Sequence, residues 1–145
     1  MGKLETVYAV RKILADNAAI AAIVATRIYP LFNIPQNAKK PYITYNQNSA
    51  DHVHHLGGPS GGAKYQIDVH AFADSDTAMR SLGVAIRKAL DGYLGTVTVG
   101  GDSVIIEQSF LKAEMDDTVD AQDGSDKPIF IRQFEFSIFN KTETT

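Results

Sequence analysis

From Leu4 to Leu14 the apolar residues Leu4, Val7, Tyr8, Val10, Ile13 and Leu14 recur at three- and four-residue spacings, the pattern of a helix with one buried face. Asp16 and Asn17 interrupt it. Asn17 is placed to cap a second short helix from Ala18 to Val24, where alanines give high helix propensity. Arg27 to Leu31 turns extended, and Pro30 confines that strand to an edge or ends it, because proline cannot donate to a ladder. Asn33 to Lys40 is a connection. Pro41 biases Lys40 away from helix, and the strand formers Tyr42, Ile43, Thr44 and Tyr45 open a strand that runs toward Ser49. Ala50 to Ala63 loses periodicity and ends in LGGPSGGAK, which predicts a hairpin-type loop.

From Tyr65 the alternation is clean: Tyr65, Ile67, Val69 and Ala71 face one way, and Gln66, Asp68 and His70 the other. Asp74 or Ser75 can cap the main helix, in which Met79, Leu82, Ile86, Ala89 and Leu90 keep helical spacing until Gly92 offers a left-handed terminus. Gly83, inside that helix near its apolar face, predicts close approach to the sheet rather than a break. Thr96 to Val99 and Ser103 to about Met115 read as strands joined by a tight turn at Gly100, Gly101 and Asp102. Asp116 to Lys127 reads as a polar loop. Ile129 to Phe139 returns as a final strand with Phe134, Phe136 and Ile138 on one face, and KTETT (residues 141–145) as a frayed end, with 140–145 flexible.

The order helix, strands, helix, strands predicts an α+β fold: a mostly antiparallel sheet of four to six strands with two main helices packed on one face. Gln66, Asp68, His70, Gln133, Glu135 and Ser137 fall on the sheet's other face, which can meet water or a neighbouring subunit. At 145 residues the chain reads as one domain spanning 1–145, long enough to bury a core. With no cysteine, neither a disulfide framework nor a thiolate metal site is available. The longest strongly apolar run, Ala18 to Ala25, falls well below the roughly 20 residues that cross a bilayer, so no membrane role is indicated. A net charge of -3 gives no overall electrostatic footprint for phosphates, which argues against nucleic-acid binding as the main function.

Candidate chemistry is sparse. Three of the four histidines lie in DHVHH, as His52, His54 and His55, and imidazoles can ligate zinc, nickel or copper. A closed structural site wants four ligands and an inflexible second shell, whereas this cluster lies beside a glycine-rich loop with Asp51 as the one nearby acid. GGPSGG lacks the G-x-x-x-x-G-K-[ST] order of a phosphate loop, and no G-x-S-x-G elbow occurs. Glu114, Asp116, Asp117, Asp120, Asp123 and Asp126 form an acidic stretch whose spacing is not that of a calcium loop. The tyrosines at positions 8, 29, 42, 45 and 65 read as core or sheet residues, with no basic stripe around them. No catalytic residue, cofactor or metal site is assigned.

Four segments together resemble a known family: AIAAIVATRIYPLFNIPQNAKKPYITY (Ala19 to Tyr45), LGGPSGG (Leu56 to Gly62), YQIDVHAFADS (Tyr65 to Ser75) and AIRKALDGYLGTV (Ala85 to Val97). Over about Leu4 to Phe139 the chain resembles the tail completion proteins of long non-contractile-tailed bacteriophages and prophages. That resemblance implies a structural, non-enzymatic subunit of the virion, assembled in the host bacterial cytoplasm. It implies a homo-oligomeric ring, a hexamer, on the head-proximal end of the tail tube, which stops tube growth and joins tail to head. The implied partners are the major tail tube protein and a head completion or connector protein. A head-closing adaptor is the alternative, and a metal-dependent enzyme using the histidine cluster a more remote one. Long loops supply the candidate contacts: Asn33 and Gln36 in the first connection, His54, Leu56 and Pro59 around the glycine-rich turn, and Asp117, Asp120 and Asp123 in the acidic segment.

Overall fold

The computed structural model describes residues 2–3, 5–55, 58–119 and 128–141. Asn17 divides the N-terminal helical run as predicted: α1 spans Thr6–Asp16, α2 spans Ala18–Val24, and the Asn17 side chain accepts a hydrogen bond from Ile20 N at 3.0 Å. The third helix, α3 (Asp76–Leu90), starts at Ser75, whose Oγ accepts from Ala78 N at 3.1 Å, and is followed by Gly92 at φ +79°. Among the described residues seven strands accompany the helices: β1 (Gly2–Lys3), β2 (Ile28–Pro30), β3 (Tyr42–His55), β4 (Gly58–Ala73), β5 (Gly95–Val99), β6 (Asp102–Val119) and β7 (Ile129–Lys141).

These strands form one mixed sheet in the order β1-β6-β7-β4-β3-β2, with β5 paired to β6. Four antiparallel ladders, β3 with β4, β4 with β7, β6 with β7 and β5 with β6, make the body of the sheet. The parallel pairs are short: two residues of β1 lie along β6, and three residues of β2 along β3. The fold is therefore α+β and mostly antiparallel, as the element order predicts. The edge strand predicted at Arg27 to Leu31 is β2, ending at Pro30, and the unpredicted strand is β1, whose two residues are too few for a periodicity of two to register.

The three helices cover one face of the sheet, and the alternation of β4 and β7 explains why. Ile67, Val69 and Ala71 on β4 and Phe134, Phe136 and Ile138 on β7 are buried there against Val10, Leu14, Ile20, Leu82, Ile86 and Leu90. Burying such side chains contributes roughly 1.5–3 kcal/mol each. Gly83 allows α3 to sit close: a Cβ there would lie 2.9 Å from Cδ and Nη1 of Arg132 and 3.4 Å from the Phe134 ring. Arg132 cannot easily move aside, because it is 6% exposed and grips Asp116 through Nε–Oδ1 and Nη2–Oδ2 bonds of 2.6 and 3.0 Å. At the far end of α3, Ser109 Oγ donates to Leu90 O at 2.6 Å and Gly92 N donates to Ser109 O at 2.7 Å, fastening the helix to β6. Thr6 and Asn140, both buried, fasten α1 to β7 by an Nδ2–Oγ1 hydrogen bond.

Two predicted loops are strand where they are described, residues 56–57 and 120–127 lying outside the described residues. Residues 50–55 continue β3 and residues 58–63 open β4, with pairs Asp51↔Lys64, His52↔Ala63, His54↔Pro59 and His55↔Gly58. Its register shifts between Gln47 and Ser49 and between His52 and His54, so the polar sequence carries no steady alternation. Likewise β6 continues through Asp116, Asp117 and Thr118 to Val119, because Arg132 on β7 neutralises Asp116 across the ladder. Tyr8 departs from the predicted core as well: it is 51% exposed on α1, whereas Tyr45 is buried.

Candidate functional site

The arrangement presents surfaces. Along β6, β5 pairs only with Asp102 to Ile106, and β7 takes the other side from Ile105 to Val119. Leu111 N is satisfied by Asp91 Oδ1 at 3.0 Å, so the outer edge of β6 is open from about Ala113 onward among the described residues. On the opposite side of the sheet, β2 covers β3 at Ile43 to Tyr45, and no strand lies outside β3 from Asn46 to His55 among the described residues. Arg27 holds the start of this edge in place, with Nε donating to Pro41 O at 2.9 Å and Nη2 to Ile23 O at 3.3 Å.

The sheet face opposite the helices carries the polar side chains of the predicted alternation. Register places Thr44 beside His70 and Gln133, and Asn46 beside Asp68 and Glu135. Thr44 and Asp68 are buried, and Thr44 Oγ1, Asn46 Oδ1, Asp68 Oδ1 and His70 Nδ1 find no hydrogen-bond partner among the described residues. Burial, with Glu135 adding like charge, pushes the Asp68 carboxyl above the usual aspartate range. Burial likewise holds the His70 imidazole below its ordinary value, against the pull of Asp68. Toward one end the face becomes apolar: Tyr42 stacks on Phe72 with ring centroids 4.7 Å apart. There Leu31, His70, Phe72, Met115, Ile131 and Gln133, with Asp116 and Asp117 at the rim, line a groove of about 410 Å³.

The connection after β2 adds an exposed aromatic side chain. Phe32 is 91% exposed, directly before Asn33, and Asn33 and Gln36 are exposed too. Of the other sequence-predicted contacts, His54 and Pro59 pair with each other near the β3–β4 turn, and Asp117 is an exposed residue of β6. Leu56, Asp120 and Asp123 lie outside the described residues. The structure thus spreads the predicted contacts over three places: the β2–β3 connection, the β3–β4 hairpin end and the β6 edge. Phe32 and Met115, the latter 48% exposed, escape a reading of the sequence because nothing local tells an exposed apolar side chain from a buried one where a strand ends. Among the described residues no group of three or more histidine and acidic side chains could hold a metal ion. No described helix is long and apolar enough to cross a membrane.

The family model described as "Tail completion protein gp17" matches residues 8–124. A solved chain from "Virion of native gene transfer agent (GTA) particle" has a similar fold, with a TM-score of 0.64 at 16% identity, covering 94% of this chain and 93% of that one. Comparison with curated proteins gives no match.

Proposed function

This chain belongs to the tail completion protein gp17 family, structural proteins of bacteriophage virion assembly, and from that premise we propose that it caps the head-proximal end of the tail tube. It does so as a homo-oligomeric ring, a hexamer, that stops tube growth and presents a new surface to the head. The major tail tube protein lies on one side and a head completion or connector protein on the other. The protein acts by shape and surface rather than by catalysis. The observation that carries the reading is the family match over residues 8–124.

The geometry supports it. A tube-capping subunit must meet its own copies on two different sides, since a heterologous contact that closes into a ring prevents open-ended growth. A sheet open along both β3 and β6 has two such different sides. Asn33, Gln36, His54, Leu56, Pro59, Asp117, Asp120 and Asp123 are the side chains we assign to contacts with the tube and the head, to which Phe32 is added for its exposure. Aromatic side chains, phenylalanine among them, are enriched at interfaces relative to the rest of a protein's surface.

Electron microscopy of particles from the parent phage with this gene deleted tests the proposal. Filled heads separate from overlong tails are the expected result. Leaking heads beside tails of normal length would replace it with a head-closing adaptor, and intact infectious particles would overturn it.

A further inference from the structure

The two open edges are complementary in direction as well as in position. Between β6 and β3 lie two strands, β7 and β4, and each of the three ladders joining them is antiparallel. β6 and β3 therefore run in opposite senses at opposite sides of the sheet. Rotation about a ring axis preserves the sense of every strand along that axis, so the β3 of the next copy arrives antiparallel to β6 without any subunit being turned over.

Local hydrogen bonding on β6 fits this. Thr118 N donates to Asp117 Oδ1 at 2.8 Å, the side chain of its own neighbour. Main-chain groups of an edge strand alternate between inward and outward, so Glu114, Asp116 and Thr118 aim theirs away from β7. Across the sheet, Ile43 N and Tyr45 O are taken by Arg27 O and Leu31 N, both at 3.0 Å, and this cover stops before the run from Asn46 to His55. Neither Asn46–His55 nor Ala113–Val119 contains a proline or a lysine, two of the commonest guards of solvent-facing edges, although the β6 run does carry acids. Charge opposes the match only weakly. The β6 run carries Glu114, Asp116 and Asp117, with Asp116 already held by Arg132, whereas the β3 run carries one acid, Asp51, and three histidines.

We infer that the β6 edge of one copy pairs antiparallel with the β3 edge of the next, making the sheet continuous from subunit to subunit. The inference rests on the ring reading above and specifies its junction: main-chain hydrogen bonds between Ala113–Val119 and part of Asn46–His55. The occupant of each edge is a second copy of this chain.

The absence of cysteine from the chain makes disulfide mapping clean. Ser49 and Asp51 on β3 pair with Gln66 and Lys64, and Met115 and Asp117 on β6 pair with Gln133 and Ile131, which places all four on the face opposite the helices. Four double variants combining S49C or D51C with M115C or D117C would replace the protein in assembled particles and be oxidised. A bridge needs Cα atoms within about 7 Å, so the panel samples register in two-residue steps. The expected result is a ladder of covalent multimers for at least one pair, with no multimer from any single-cysteine variant. Multimers from single variants, bridges to a different protein, or no ladder although microscopy shows a ring of these subunits would each overturn the junction and leave the ring reading standing. Particles without such a ring would overturn both. T118P offers a second test, since it removes an outward-facing donor without touching the β7 ladder. Loss of the ring with an unchanged circular dichroism spectrum is expected, and an intact ring would overturn the inference.

Discussion

The two faces of β4 and β7 are built from the same strands and end in opposite conditions. On the helix-covered face, Ile67, Val69, Phe134, Phe136 and Ile138 are packed within the chain. On the other face, Gln66, Asp68, His70, Gln133 and Glu135 share one polar field in which several buried atoms find no partner among the described residues. Strand alternation creates both faces at once, but only one is matched by helices from the same chain. The fold rests on the helix-covered face, and the polar face contributes unpartnered groups instead of packing.

The largest expected effect breaks the helix-covered face. Phe136→Ala removes a fully buried ring and should cost about 3–5 kcal/mol of stability, read as a lower urea midpoint. A loss under 1 kcal/mol would show that this face does not carry the fold. Gly83→Ala probes the same face more gently. Helix propensity favours alanine by about 1 kcal/mol, while crowding of the pinned Arg132 and Phe134 costs roughly 1–3 kcal/mol, for a net loss of about 1 kcal/mol in thermal or chemical unfolding.

Arg132→Met separates the faces by pH. Hydrogen bonds from Arg132 hold the Asp116 carboxyl below its ordinary value of 3.8, so the pair stabilises the fold above that pH and the contribution is lost as pH falls through the depressed value. Because Asp116 is 40% exposed, solvent screening limits the effect to about 1 kcal/mol. The difference between parent and variant should be greatest near neutrality and shrink below pH 3.8. A difference that stayed constant with pH would assign Arg132 a packing role alone.

Asp68→Asn should move stability the opposite way, raising it by about 1 kcal/mol at neutral pH, since it removes a buried charge that lacks a full set of partners. The carboxyl's pKa is raised in the folded state, so its cost is full above that value and fades as pH falls toward 3.8, where the advantage of asparagine should vanish. His70 adds a contrary slope: its folded pKa lies below 6.5, and stability declines as pH falls from 6.5 to that lower value. Unfolding curves of D68N between pH 4 and 8 would sharpen the comparison, and lower stability at pH 7 would reject this account of the polar face. The smallest stability effect belongs to Phe32→Ser, within about 0.5 kcal/mol because the ring is exposed. The same variant should reduce the yield of joined, infectious particles, and a normal titre would remove Phe32 from the contact surface.

Much of the fold was legible where one period persisted long enough to be counted. The main helix, its Ser75 cap, the Gly83 approach and the inward faces of β4 and β7 all follow from residues close together in the chain. The outer β3–β4 hairpin was not, because a polar strand extending past the helices has no apolar face to reveal it, and register shifts scramble what alternation remains. Asp116 and Asp117 read as loop for a related reason: their strand depends on Arg132, a residue on a different strand.

The candidate contacts were legible only as regions. Asn33, Gln36 and Asp117 are exposed, but exposure of Phe32 and Met115 depends on where the sheet ends, which no local pattern encodes. By itself the sequence determined the element types, the apolar stripe of each helix and the two-faced strands, since these follow from backbone geometry and side-chain spacing over a few residues. Tertiary structure alone decided the strand order, the reach of β3, β4 and β6 and the two edges left uncovered among the described residues. Those depend on which backbone groups find partners from distant parts of the chain, and an edge is defined by the partner it lacks.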